Sequence, residues 1–182
     1  MHRIVIYPVN DVIHPLNNSG VDLFITNVFK TLLFLDRYMY WAEGARRFNN
    51  PKIERADMDG KNRKVIITVS SFFFRTPNGL ALDTQHNRLY YVVGGSNVIS
   101  FVSLGTGTRS TFLTRPFNNY PKGVAIHANY IYWTEERGQS GAVYRADRAS
   151  GGNVKKVVDN LRGPEDICVY NANDTAQIGT CG

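Results

Sequence analysis

The stretch from Pro121 to Asp147 reads PKGVAIHANYIYWTEERGQSGAVYRAD and holds three strand-like runs separated by turn residues. Its first run, Pro121–His127, is matched by Pro77–Asp83 upstream and by Pro164–Tyr170 downstream. The prolines recur about every 44 residues, and a period near this length is typical of stacked units such as propeller blades. The repeat therefore predicts an all-β, propeller-like chain.

Two further runs repeat in step with the first, and a weaker fourth run follows them. The aromatic second runs are Tyr38–Glu43, Leu89–Val93 and Tyr130–Glu135. The third runs are Ile53–Asp57, Ile99–Ser103 and Val143–Asp147, and the fourth are 64–68, 110–114 and 154–158. Because four strands make one blade, the sequence predicts about three four-stranded blades, over 31–70, 77–115 and 121–160, and a closing inner strand at 164–170.

The side chains within each repeat suit sheets that pack face to face. Ala81, Ala125 and Cys168 share one position on the first strand, where small residues allow the sheets to converge. The aromatic residues of the second strands could stack on carbohydrate, but strands with one face between sheets favour core packing. We predict that they form the core; they are Tyr40, Trp41, Tyr90, Tyr91, Tyr132 and Trp133.

The composition describes an ordinary globular chain with a basic excess. The chain has 182 residues, of which 43% are hydrophobic and 20% charged, and its formal net charge is +6. That excess would suit nucleic acid, heparin-like glycans or acidic protein surfaces, but it is also common as simple solvation. No run approaches the ~20 apolar residues that span a bilayer, and Pro8 and Asp11 interrupt the N-terminal run, so neither a membrane span nor a signal peptide is predicted.

The second runs carry a family resemblance. Tyr132–Glu135 and Tyr40–Glu43 resemble the Tyr-Trp-Thr-Asp signature of the β-propellers of the low-density lipoprotein receptor family. Pro164–Tyr170 resembles the strand that closes such a propeller before an EGF-like module. The resemblance implies a partial six-bladed propeller, with 1–30 outside the repeat as an irregular or outer-strand segment and 171–182 as a linker towards an EGF-like module.

The chain also departs from the family pattern. The final acid of the signature is a glutamate at Glu43 and Glu135 and is replaced at Val93, which puts in doubt the hydrogen bonds that the aspartate makes between blades. A six-bladed propeller needs roughly 260 residues, so the chain corresponds to the C-terminal half of one. Three blades alone leave sheet faces and edges open, and we expect that the isolated chain does not close into a stable monomer.

The resemblance implies an extracellular module of an endocytic, lipoprotein-receptor-related cell-surface receptor. Such a module binds extracellular protein ligands, including acidic surfaces, and reaches the membrane only through a segment outside this chain. A matrix-binding propeller of the nidogen type is an alternative that the sequence does not separate from it. A calcium-dependent hydrolase of the gluconolactonase or strictosidine-synthase type is less favoured, because Lys122 lies in the ring of positions that would hold the metal, and a nucleic-acid-binding propeller is equally disfavoured.

Ligand-binding residues are expected in the loops that follow the aromatic strands, because loops on a rigid scaffold commonly carry function. The candidates are Arg46, Arg47, Phe48, Glu136 and Arg137.

Two histidines and two asparagines are candidates for other roles. His86 and His127 could sense the acidic pH of endosomes, although a loop histidine without a special partner is the simpler interpretation. Asn17 and Asn173 begin Asn-x-Ser/Thr glycosylation motifs.

Cys168 is expected as a buried thiol, and separate fates for Cys168 and Cys181 are favoured over a bond between them. The common enzymatic motifs are absent from the sequence, so no catalytic residue, metal ligand or cofactor is predicted, apart from calcium in neighbouring modules of the parent protein. Asp57, Asp59 and Asn62 lack the distal glutamate of a calcium loop and are interpreted as a turn.

Overall fold

The computed structural model describes residues 2–5, 29–35, 37–44, 50–69 and 76–171. All regular elements in these ranges are β-strands, which confirms the predicted all-β class. The first five strands are β1 (His2–Val5), β2 (Phe29–Leu35), β3 (Tyr38–Glu43), β4 (Lys52–Asp57) and β5 (Lys64–Thr68). The next four are β6 (Pro77–Asp83), β7 (Arg88–Val93), β8 (Val98–Ser103) and β9 (Arg109–Thr114). The last five are β10 (Tyr120–His127), β11 (Tyr130–Arg137), β12 (Ser140–Asp147), β13 (Lys155–Leu161) and β14 (Cys168–Asn171).

The strands form three antiparallel sheets in chain order, as the repeat predicts. Sheet I contains β2 to β5, sheet II contains β6 to β9, and sheet III contains β10 to β13. A two-stranded sheet pairs β14 with β1, from Val5 opposite Cys168 to His2 opposite Asn171. Each four-stranded sheet is a propeller blade, with its first strand innermost.

Aromatic second strands supply the core between neighbouring sheets. Tyr40 from sheet I and Tyr91 from sheet II belong to one buried cluster, and Tyr90 and Trp133 belong to the cluster between sheets II and III. Tyr40, Trp41, Tyr90, Tyr91 and Trp133 are all buried, whereas Tyr132 is half-buried. The core prediction is therefore confirmed for five of the six aromatic residues.

The first strands of neighbouring blades approach closely at a β-bulge. The pairing of β6 with β7 shifts between Pro77 and Leu80, and that of β10 with β11 shifts between Pro121 and Val124. A Cβ atom on Gly79, which lies in the first bulge, would stand 2.7 Å from the Lys122 carbonyl oxygen. Glycine is required there because the backbone of the next blade takes the space of a side chain.

The strand connections form two opposite edges of the molecule. The upper edge carries the connections β3–β4, β7–β8 and β11–β12 and those that lead from one sheet to the next. There the Arg115 N–H donates to the Asn97 carbonyl at 2.7 Å. The lower edge carries the remaining connections, where the Leu104 N–H donates to the Asn87 carbonyl at 2.9 Å and the Arg148 N–H to the Asn129 carbonyl at 2.8 Å.

Some expectations near the C-terminus are wrong. The last strand of sheet III is β13 at Lys155–Leu161, which extends beyond the predicted 154–158. Strand β14 begins at Cys168 and not at Pro164, because Pro164 has no N–H and the N–H of Ile167 is bonded to the carboxylate of Asp166 at 2.8 Å. Cys168 is buried as expected, but it is disulfide-bonded and not a thiol.

Candidate ligand-binding edge

The loop candidates divide into two groups. Arg46, Arg47 and Phe48 lie outside the described residues, as do the glycosylation candidates Asn17 and Asn173. Glu136 and Arg137 lie on the upper edge as expected, but they belong to β11 and not to a loop. The β11–β12 ladder continues to the pair Arg137 and Ser140 because the turn needs only two residues, one of which is Gly138 with a φ of +61°.

Glu135, the last residue of the YWTD-like signature, holds neighbouring blades together. Its carboxylate accepts hydrogen bonds from Trp133 Nε1 at 3.0 Å, Arg115 Nε at 2.6 Å and Asn119 Nδ2. Arg115 and Asn119 come from the connection between sheet II and sheet III. The signature glutamate of sheet III is therefore hydrogen-bonded to the connection that leads from sheet II. Val93 occupies the equivalent position in sheet II and contributes apolar packing instead.

The connection held by Glu135 displays an exposed phenylalanine. The Asn119 N–H donates to the Pro116 carbonyl at 3.1 Å, and Asn118 has a φ of +64°, so residues 116–119 form a tight turn. Phe117 lies at the corner of this turn and is 83% exposed. Because both ends of the turn are hydrogen-bonded, the structure fixes the backbone that presents the Phe117 ring to solvent.

A charged cluster lies on the same edge, at the start of the innermost strands. Lys122 Nζ lies 3.0 Å from Glu136 Oε2 and 3.6 Å from Glu165 Oε1. Burial acts to lower the pKa of Lys122, but the hydrogen bond to Glu136 and the charge of Glu165 raise it overall. The ammonium ion therefore stays charged between the two carboxylates.

Thr134 and Asp166 connect sheet III to the closing strand below this cluster. The buried Thr134 hydroxyl accepts the Gly123 N–H at 2.8 Å and donates to the Glu165 carbonyl at 3.3 Å. Burial, together with the nearby charge of Glu165, raises the pKa of Asp166 to about 6. The hydrogen bond from the Ile167 N–H acts in the opposite direction and lowers it. Asp166 is thus a carboxyl group that changes charge at mildly acidic pH.

A different charged group accompanies the signature acid of sheet I. Glu43 lies 3.1 Å from Arg63 Nη2 and 3.5 Å from Lys52 Nζ, and Lys52 also lies 3.2 Å from Glu54. Burial acts to raise the pKa of Glu54, but the hydrogen bonds from Arg63 and Lys52 lower it overall. Here the signature acid is held by residues of its own blade.

The histidine candidates lie at the lower edge. His86 Nδ1 lies 2.9 Å from the buried carboxylate of Asp83, so the expectation of a loop histidine without a special partner is wrong for His86. His127 is the last residue of β10 and is half-buried. Asp57, Asp59 and Asn62 form the expected turn, in which Asn62 donates to Asp57 at 2.6 Å.

Sequence reasoning did not place Phe117, Lys122 and Glu165 among the candidate binding residues of the upper edge. A signal for Phe117 was present, because a large apolar residue inside Pro-Phe-Asn-Asn lies in a turn-forming sequence where burial is not expected. Lys122 and Glu165 belong to separate repeats, and their proximity depends on how neighbouring blades pack.

Residues 37–84 match the low-density lipoprotein receptor repeat class B family. A human low-density lipoprotein receptor-related protein 5-like protein is 30% identical over 141 residues, which cover 78% of this chain and 51% of that protein. The chain thus contains a class B (YWTD) repeat and is similar to low-density lipoprotein receptor-related proteins. It spans about half the length of the curated relative that it matches.

A solved structure supports the propeller assignment of this YWTD chain. The crystal structure of a nidogen/laminin complex contains a chain with a TM-score of 0.57 and 24% identity, covering 74% of this chain and 48% of that one. This likeness shows the fold alone. Among the described residues, no helix has the length and apolar character needed to cross a membrane.

Proposed function

We propose that the chain is an extracellular, ligand-binding part of an endocytic cell-surface receptor, and that its upper edge binds protein ligands. The observation that carries the proposal is the turn at 116–119, which holds Phe117 83% exposed on a connection tied to the buried Glu135. An aromatic side chain has few rotatable bonds to immobilise on association, and aromatic residues are common anchors in interfaces.

The surroundings of Phe117 suit a protein partner. Glu136 and Arg137 extend the same edge, and Lys122, Glu136 and Glu165 form a charged rim near the axis. An apolar anchor with charged neighbours is the usual anatomy of a protein interface. We include Arg46, Arg47 and Phe48 in the proposed surface on sequence grounds, because their connection leads from β3 to β4.

A matrix-binding role is the second candidate, and the observation that favours it is the structural likeness to a chain of a nidogen/laminin complex. The receptor function and the matrix-binding function both require a protein ligand. The hydrolase alternative gains no support, because the Lys122 ammonium lies between Glu136 and Glu165, where a metal-binding enzyme would place a cation.

Peptide selection tests the proposed surface without assuming a ligand. A phage-displayed random peptide library is selected on the 182-residue chain, and enriched peptides are titrated against Phe117→Ala. Loss of about 2 kcal/mol of binding free energy is expected if Phe117 is an anchor. Met58→Ala, which shortens an exposed apolar residue of the β4–β5 connection at the lower edge, serves as the control. Peptides that bind Phe117→Ala and the unmodified chain equally would contradict the proposal.

A further inference from the structure

The lower edge repeats one arrangement in all three blades, a guanidinium stacked on an aromatic ring. Arg55 Cζ lies 4.3 Å from the ring centroid of Tyr38 in sheet I, and Arg145 Cζ lies 4.1 Å from that of Tyr130 in sheet III. In sheet II the two residue types exchange strands, and Arg88 Cζ lies 4.4 Å from the centroid of Phe101. Each blade thus has at least one cation stacked on a ring, even where the two residue types exchange strands, and in sheet I Arg37 Cζ also lies 5.0 Å from the Tyr38 centroid.

Two of these arginines have a lysine directly across the sheet. Arg55 is paired with Lys64 between β4 and β5, and Arg145 is paired with Lys155 between β12 and β13. Like charges opposite each other destabilise an antiparallel pair. Lys64 and Lys155, which are exposed at equivalent positions of two blades, therefore destabilise their strand pairs by charge repulsion. A bound anion would relieve this repulsion.

The carboxylates of this edge do not neutralise these cations. Within the part of the chain that the structure describes, Arg55, Lys64, Arg88, Arg145 and Lys155 form no ion pair. The nearby acids are engaged elsewhere: Asp57 with Asn62, Asp59 with Lys61, Asp83 with His86 and Arg148, and Asp147 with Asn153. The upper edge differs, because Arg115 and Lys122 are paired with glutamates there.

We propose that these five residues form a binding site for a sulfated polysaccharide on the lower edge. Cations distributed over successive blades suit a linear polyanion that runs across them, because each contributes attraction without requiring one enclosed pocket. Nucleic acid fits less well, since single-stranded binding relies on aromatic faces free to stack on bases, and here Tyr38, Phe101 and Tyr130 each have a guanidinium over the ring. The site is separate from the proposed ligand edge.

Heparin binding by the 182-residue chain, measured by surface plasmon resonance at about 0.15 M ionic strength, tests the proposal. The decisive variant is Lys64→Gln with Lys155→Gln, because both side chains are exposed and can be changed without opening the core. We expect about tenfold weaker binding and a shallower dependence on salt. The melting temperature should hold or rise slightly, because the like-charge pairs are removed.

Matched variants separate the site from general charge. Lys64→Arg with Lys155→Arg keeps both charges and should retain heparin binding. Arg162→Gln removes one exposed cation from the upper edge and should change the heparin affinity by less than about twofold. Fully desulfated heparin should not bind. The proposal is overturned if the unmodified chain does not bind heparin, if the double glutamine variant binds it equally well, or if oligo(dT) binds more tightly than heparin.

Discussion

Glu135 shows how one residue of the signature determines the junction between two blades. It is 2% exposed and is paired with Arg115 at 2.6 Å, while Trp133 and Asn119 supply its other hydrogen bonds. A buried carboxylate is tolerated only when its oxygens are satisfied in this way. The sequence identified the acid through the repeat, but Arg115 lies in a connection outside the repeated strands, so its role required the structure.

The protonation of the Asp166 side chain should make the stability of the fold depend on pH. Its folded-state pKa of about 6 lies above the ordinary value of 3.8, mainly because of burial. The folded state therefore binds a proton more strongly than the unfolded state, and the contribution of protonated Asp166 to stability, fully present below pH 3.8, is lost as pH rises through 6. Asp166→Asn should be more stable than the unmodified chain at pH 7 by about 1–2 kcal/mol, and this advantage should shrink towards pH 4.5.

Urea unfolding at a series of pH values measures this difference. Asp159→Asn is the control, because Asp159 is exposed and its pKa is lowered by Lys156 and the Asn160 N–H. That control should show no gain of stability at pH 7. An Asp166→Asn variant that is less stable than the unmodified chain at pH 7 would mean that the ionised carboxylate stabilises the fold.

At the scale of the elements, the bulges of the innermost strands control how closely blades approach. A Cβ atom on Gly79 would lie 2.7 Å from the Lys122 carbonyl oxygen and 2.8 Å from the Val124 nitrogen. Both atoms belong to the backbone of the next blade and cannot rotate away. We expect Gly79→Ala to reduce the free energy of unfolding by about 1–3 kcal/mol through overpacking.

Gly105→Ala is the matched control for this substitution. A Cβ atom there would meet only the side-chain nitrogen of Asn87, at 3.4 Å, so its effect should stay within about 0.5 kcal/mol. Chemical denaturation of both variants gives the comparison. Equal stabilities for the two variants would show that the first strands can separate without cost.

Most strands could be predicted from the sequence because each blade repeats the same apolar and aromatic positions. The limits of β3 and β6 agree with the runs 38–43 and 77–83. The end of β11 was missed because the two-residue turn at Gly138 carries pairing into residues expected to form a loop. The stacked arginines were missed because Arg88 and Phe101 exchange the strands used by Arg55 and Tyr38, which a position-by-position repeat conceals.

At the scale of the whole molecule, three packed blades separate a structural interior from two edges of different character. The upper edge presents Phe117 beside paired charges, and the lower edge presents cations without carboxylate partners among the described residues. The domain limits 31–70, 77–115 and 121–160, with flanking segments 1–30 and 171–182, remain predictions, whereas the closing strand begins at Cys168 and not at 164. Phe117 is exposed in the connection before β10, whereas Trp133 of β11 is buried between blades.

Whether the interior and the upper edge use their aromatic residues differently is measured by a paired comparison of Trp133→Ala and Phe117→Ala, with thermal melting and selected-peptide binding recorded for both. Trp133 is fully buried and stacked on Tyr144 at 5.8 Å, so its loss should cost about 3–5 kcal/mol and reduce binding only in proportion to the unfolded fraction. Phe117→Ala should keep the melting temperature and lose binding. A folded Trp133→Ala variant with an unchanged melting temperature and no binding, or a Phe117→Ala variant that binds normally, would contradict the division between a buried aromatic core and an exposed aromatic anchor.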